Sequence, residues 1–333
     1  MDYRTATHHI RCMANKISTH QSFLEQAHQL CWAQPGHIAL YVSSIVDLLA
    51  PAVEARINLP PNSLKAFCSI SMELIEDTKA INCLATKTDS GYHIQINETL
   101  LTFFARMSAV ITAHLGVIYK LEKKDPDFRN DVTIAYAIDY LDGYWRGAHL
   151  DRTTVMALLT DSEKRTAAEL AHGMICITLA HELGHVIVGG ANPNTLYFPT
   201  VRASIQSQVT DYRNAGHFPN LNSIETVTAA WINEVLADIE GIMIALRANK
   251  TDLMNANTLW IAAEMMFVIL NAVEIFGQKF HNYQPSHQTH PPAILRQANA
   301  HALAEKHLSP NLLRICSIAS SLFDSAIERR SHS

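Results

Sequence analysis

The chain has no excess of basic charge: 26 lysines and arginines stand against 31 acids, for a formal charge of −5. A phosphate backbone would find no broad basic surface to hold, so nucleic acid is not an expected partner. Closely spaced cysteines are missing too. Cys12, Cys31, Cys68, Cys83, Cys176 and Cys316 lie far apart, without the short paired spacings of zinc ribbons or redox motifs. They read as reduced, mostly buried thiols. With no charged-then-apolar leader at the start of the sequence, this gives a cytoplasmic expectation, with leaderless export left open. Long uncharged apolar runs are also lacking. Arg106 and His114 interrupt Leu101 to Leu121, and Glu264, Asn271 and Glu274 interrupt Leu259 to Gly277. Neither stretch reaches the ~18 uncharged residues that mark a span, so both read as buried helices and no membrane span is expected.

What is present is core material. Hydrophobic residues make up 48% of the chain, ample for a sizeable interior. Ala, Leu, Ile and Met recur at spacings of three and four, so the expected fold is mainly α with a small β-hairpin or sheet, an α+β arrangement. The chain reads as one unit over 1–333. Within it are an N-terminal helical region (1–78), a hairpin (79–97), a metal-binding core (98–300) and a C-terminal helical region (301–333).

Helices are expected over 2–33, 37–57 and 62–78, punctuated by Pro35-Gly36 and Pro60-Pro61. Ala80 to Thr86, the turn Asp89-Ser90-Gly91 and the alternating Tyr92 to Asn97 read as the hairpin. Asn97 then caps a helix running to about Lys123. The segment 131–144 is ambiguous in period and is taken as helix. A helix from Ser162 to about Val188, closed by Gly189-Gly190, precedes a stretch of low periodicity, 191–222, taken as a long functional loop. Ser223 caps a helix to about Ala248, another covers 256–278, and two more follow Pro292 and Pro310.

Chemistry centres on His181-Glu182-Leu183-Gly184-His185. At 3.6 residues per turn the two histidines share one helix face, so both imidazoles reach a single zinc ion at about 2.0–2.1 Å. Glu182, on the neighbouring edge of that face, is placed to take a proton from water rather than to ligate. In a chain with 18 histidines the five letters alone carry little. Their setting carries more: the apolar run Met174 to Ala180 precedes them and Val186 to Val188 follows, and burying two imidazoles and an acid without a partner is costly.

A catalytic zinc needs a third protein ligand and an open fourth position. The pattern HExxHxxGxxH is excluded, because Val188 and Ala191 occupy its glycine and third-histidine positions. A carboxylate from a later helix is the other source. Asn233-Glu234-Val235-Leu236-Ala237-Asp238 supplies it, with Glu234 as ligand and Asp238, one turn on, as the acceptor that fixes a histidine tautomer. Met174 and Cys176 read as core packing, His217 as a surface histidine and Glu240 as structural.

HELGH followed by NEVLAD resembles the gluzincin zinc peptidases, the group that includes thermolysin. The resemblance implies a zincin-like fold, one zinc ion, Glu234 as third ligand, and Asn233 and Asp238 orienting the histidines. The 49-position separation of His185 and Glu234, and Thr289-His290-Pro291-Pro292 with Arg296 beyond, are more similar to the HtpX and CAAX prenyl endopeptidase branch. That likeness implies His290 or Arg296 near the site, stabilising an oxyanion; a Pro-started helix with a solvated arginine is the ordinary alternative. It covers about 165–300. That branch carries membrane spans and this chain is not expected to, so a prenylated or membrane substrate is not implied. The hairpin is compatible with the small sheet of such enzymes, whose edge pairs with an extended peptide. The expected function is a zinc metalloendopeptidase acting on a protein or peptide substrate. The alternative is a helical binding, toxin-like or regulatory module whose zinc site is structural or degenerate.

Overall fold

The computed structural model describes residues 37–73, 83–118, 126–146, 155–190, 198–216, 224–248, 255–285, 287 and 289–332. The expected helix over 2–33, Cys12, Cys31, His217, the Ser223 cap and the start of the hairpin's first strand lie outside them.

Within the described residues the molecule is mostly helical with one small mixed sheet. Helix α1 (His37–Ile57) leads through a single turn, α2 (Leu64–Phe67), into strand β1 (Cys68–Glu73). Strands β2 (Leu84–Thr88) and β3 (Gly91–Asn97) form the hairpin, and the sheet order is β1-β3-β2. β3 pairs in parallel with β1 and antiparallel with β2, leaving β2 at an edge. At the hairpin tip Gly91 has φ of +148°, and its Cα lies so close to the Phe67 carbonyl that a Cβ would stand 2.0 Å from that oxygen. Only glycine fits there.

β1 overturns the expectation of a helix through 62–78. Cys68, Ile70 and Met72 alternate with Ser69, Ser71 and Glu73, and they face Tyr92, Ile94 and Ile96 across the parallel ladder. The period-two signal is short and adjoins helix-favouring residues, and pairing with β3 decides the outcome.

Asn97 ends β3, and its Oδ1 accepts from Thr99 N at 2.8 Å, capping α3 (Glu98–Ile118) as expected. α4 (Pro126–Arg146) covers the ambiguous 131–144 and is a helix. A 3-10 turn (Val155–Leu158) precedes α5 (Asp161–Gly190), which packs against α1, α3, α8 and β2 and most extensively against α7. A helix apolar on nearly every face belongs in the middle.

The stretch taken as a loop contains α6 (Phe198–Asn214). Val201, Ile205 and Val209, spaced by four, form a small second core with Trp231, Ile232 and Val235 of α7 (Ile224–Ala248). α8 (Ala256–Phe280), α9 (Ala293–Ala304) and α10 (Pro310–Ser331) complete the fold. Cys68, Cys83, Cys176 and Cys316 are free and buried.

Among the described residues four helices are long and apolar enough to cross a membrane by length and composition: Ile38–Ile57, Glu98–Ile118, Asp161–Gly189 and Ala256–Phe280. In the last three, 72%, 83% and 78% of the apolar window is buried within the protein, against 44% in the first. Interior packing is therefore sufficient reason for the apolar character of α3, α5 and α8.

Candidate metal centre

α5 and α7 cross in close contact because both carry glycine where they meet. A Cβ on Gly184 would stand 2.5 Å from the Ala237 carbonyl oxygen, and one on Gly241 would stand 2.8 Å from the His181 backbone nitrogen. Any side chain at either position would push the helices apart. The contact places His181 and His185, one turn apart on α5, opposite Glu234 and Asp238, one turn apart on α7.

Two imidazole nitrogens and both oxygens of one carboxylate converge there. His181 Nε2 and His185 Nε2 are 3.2 Å apart. Glu234 Oε1 lies 3.4 Å from His185 Nε2, and Glu234 Oε2 lies 3.7 Å from His181 Nε2. Tetrahedral bonds of about 2.0–2.1 Å separate ligand atoms by about 3.3 Å, so the triangle has the dimensions of a zinc face. Among the described residues this is the one group of three or more His, Cys, Asp or Glu side chains close enough to hold a metal.

Two further observations fit a cation. Glu234 Oε2 is buried and accepts no hydrogen bond, which is costly for a carboxylate in a protein interior. Glu182, Glu234 and Asp238 are all buried, with Arg296 as the one guanidinium among them. With the acids ionised, three negative charges against one positive leave a deficit that a divalent ion neutralises.

The surroundings set the protonation of each ligand. Asp238 Oδ1 lies 2.8 Å from His181 Nδ1, an ion-pair contact without a linear hydrogen bond. The carboxylate favours the proton on Nδ1 and leaves the Nε2 lone pair facing the centre. Burial lowers the His181 pKa, but the charge and contact of Asp238 outweigh it and the net shift is upward. His185 is pushed down to about 4, first by burial and then by the charge of His181, with Glu234 and Asp238 opposing. Burial pushes Asp238 up, yet Arg296 and then His181 hold it well below the usual carboxylate range.

Arg296 reaches this network from α9. Its Nε and Nη2 donate to Asp238 at 2.9 and 2.6 Å, its Nη1 is 3.9 Å from Glu234 Oε2, and its guanidinium lies 5.3 Å from the Phe267 ring centre. Two of its three nitrogens are committed to Asp238, and the residue also lines the cavity beside the cluster. His290 is placed differently. Its Nε2 is 3.3 Å from Glu234 Oε1, its side chain is 47% exposed, and its Nδ1 lies 2.8 Å from Thr289 Oγ1. Partial desolvation nevertheless lowers its pKa, with the charge of Glu234 opposing.

Glu182 is buried beside the cluster. Burial raises its pKa, the charge of His181 opposes this, Glu234 raises it further, and Arg296 and the backbone amide of Ala85 on β2 favour the charged form. A carboxylate so balanced is suited to taking and returning a proton. Asn233 sits exposed on the rim of the cleft and makes no hydrogen bond to either imidazole, so the orienting role expected of it falls to Asp238 alone. Glu240 is structural: it receives Arg56 Nη2 at 2.6 Å and Nε at 3.0 Å.

The ligand cluster, Glu182 and His290 line a cavity of about 640 Å³ whose other walls come from β2, α3 and α8. Sequence reasoning expected the hairpin beside the pocket but did not single out Leu100, Phe104, Met266 and Leu270, which have the periodicity of ordinary core residues. It also missed what Gly184 and Gly241 do; a glycine inside each of two apolar helices that carry ligands was the available signal. No family model, no curated protein and no solved structure matches this chain.

Proposed function

We propose that the chain is a zinc metallopeptidase of zincin type, with His181, His185 and Glu234 holding the ion and Glu182 as general base. The observation that carries this reading is the triangle of two Nε2 atoms and one carboxylate with edges of 3.2, 3.4 and 3.7 Å. A zinc ion held by these residues would supply Lewis acidity for activating water and a peptide carbonyl. Asp238, itself fixed by Arg296, keeps the His181 proton on Nδ1 and so keeps Nε2 available. Glu182, desolvated and beside the cluster, accepts the proton that the attacking water gives up and returns it to the leaving amine nitrogen. His290, with its Nε2 3.3 Å from Glu234 Oε1 and its side chain half exposed, would donate to a carbonyl oxygen as it gains charge.

Glu182→Gln retains the ligand set while losing the base. Its expected behaviour is unchanged zinc content with hydrolysis of a denatured protein substrate reduced about 10²- to 10⁴-fold. Equal turnover by wild type and Glu182→Gln would remove Glu182 from the reaction.

The contact of His290 with Glu234 also favours a second reading, a closed structural site with four protein ligands. The visible spectrum of the cobalt-substituted protein separates the two. An exchangeable water in the coordination shell, displaced by a small chelating anion, belongs to the peptidase, and a spectrum insensitive to anions but altered in His290→Ala belongs to the closed site.

A further inference from the structure

α9 begins without a cap of its own. Its N-cap residue is Pro292, which makes no side-chain hydrogen bond, and the residue before it is also proline. The free backbone N–H groups at a helix start need an acceptor. It comes from α8: Glu274 Oε2 accepts from Ala293 N, the first residue of α9, at 3.1 Å. A carboxylate in that place also meets the positive end of the helix. Glu274 Oε1 turns the other way, 3.7 Å from His287 Nε2, and takes a long hydrogen bond from Gln278 at 3.4 Å.

His287 is a second fixed point. Its φ is +48°, in the left-handed region, which a histidine holds only with support from outside. Trp231, buried on α7 and one turn before Glu234, donates its Nε1 to the His287 carbonyl at 2.7 Å. His290 lies between these anchors, past His287 and before Ala293, and Arg296 follows Ala293 by about one turn of α9. The far end of α9 is tied separately, through His301 Nδ1 and Glu264 Oε2 at 3.1 Å. One acid on α8 therefore holds the end of α9 from which both His290 and Arg296 are presented to α7.

From this we infer that Glu274 is a positioning residue for the centre: by capping α9 from α8 and facing His287, it sets His290 against Glu234 and Arg296 against Asp238. Its own contacts are with Ala293, His287 and Gln278, and none is with a candidate ligand. The consequence for turnover rests on the peptidase reading, whereas the placement does not. Without the carboxylate the first turn of α9 loses its acceptor and the segment before it loses one of two anchors, while the far end of the helix stays tied. The disturbance is local, and it is passed to the cluster through His290 and Arg296.

Side-chain hydrogen exchange in the full chain, followed by NMR in wild type, Glu274→Ala and Glu274→Gln, tests this without turnover. Trp231 Nε1–H reports on the segment that carries His290, and Arg296 Nε–H on its bond to Asp238 at 2.9 Å. Trp145 Nε1–H, which donates to the Val273 carbonyl at 3.0 Å, reports on the packing of α8 beside Glu274. In Glu274→Ala the first two are expected to exchange about tenfold faster, the scale of a lost helix cap, with Trp145 unchanged. Glu274→Gln keeps an acceptor for Ala293 N and is expected to restore most of the protection. Unchanged exchange at Trp231 and Arg296 overturns the proposal. So does equal acceleration of all three groups, which marks general loosening, or a glutamine variant that behaves as the alanine one. At saturating zinc, Glu274→Ala is expected to lower kcat about tenfold with KM little changed. An unchanged kcat beside the expected exchange pattern would confine Glu274 to a structural role and overturn the proposal. Wild-type protein that cleaves no peptide while the exchange pattern holds sinks the peptidase reading and leaves the placement by Glu274 standing.

Discussion

Asp238 takes part in two interactions at once: it receives Arg296 through two hydrogen bonds and faces His181 Nδ1 at 2.8 Å. Replacing it with asparagine removes the charge that fixes the His181 tautomer while keeping the shape, and zinc affinity is expected to fall about 10- to 100-fold in a chelator competition. Undiminished affinity would show that His181 needs no orienting carboxylate. The two imidazoles also titrate in opposite directions from the ordinary value. In the metal-free protein His185, buried and beside His181, should remain neutral as pH falls to about 4, whereas His181, beside Asp238, should already be protonated above the ordinary 6.5. For His185 the folded state binds its proton less readily than the unfolded chain. Its contribution to stability is therefore complete above about 6.5 and is lost as pH falls toward 4. His181 has the reverse sign: its contribution is complete at low pH and is lost as pH rises through its folded value. Ring carbon resonances of the two residues, followed by NMR against pH, should separate accordingly, and a common midpoint near 6.5 would contradict the electrostatic assignment.

Helices α5 and α7 form the centre because two glycines let their backbones touch. Gly184→Ala or Gly241→Ala must separate them by a few tenths of an ångström or more, since the inserted carbon would lie 2.5 Å from Ala237 O or 2.8 Å from His181 N. Overpacking of this kind typically costs about 1–3 kcal/mol. Each variant is expected to show a lower thermal midpoint together with weaker zinc binding, and unchanged values of both would mean that the helices tolerate a wider crossing. How far each element could be read from sequence followed from how local its cause is. His181, Glu182 and His185 are fixed relative to one another by a single helix, and Glu234 and Asp238 by another, so both elements of the cluster were legible as letters. β1 was not, because Cys68 to Glu73 becomes a strand only by pairing with β3, a partner about two dozen residues away. α6 was obscured by the Asn and Pro residues around it, although Val201, Ile205 and Val209 carried its period. Their burial against Trp231 gives Ile205→Ala an expected cost of about 2–5 kcal/mol in denaturant unfolding, and a change below about 1 kcal/mol would mean that α6 adds little to the second core.

Taken together, the molecule wraps α5, whose apolar window is 83% buried, in other helices and places a polar cluster inside that wrapping. The candidate ligands come from α5 and α7, the arginine beside them from α9, and other cavity walls from β2, α3 and α8, so the cluster forms only when most of the described chain is folded. A buried cluster with this charge imbalance is expected to gain stability from a divalent ion in proportion to the logarithm of its free concentration. The most direct test is native mass spectrometry of the purified protein equilibrated with zinc, beside His185→Ala and Glu234→Ala. One tightly held zinc per wild-type chain is expected, with occupancy lost or greatly reduced in both variants. Wild-type protein that takes up no zinc, or variants that keep it as firmly as wild type, would contradict a metal centre at these three residues.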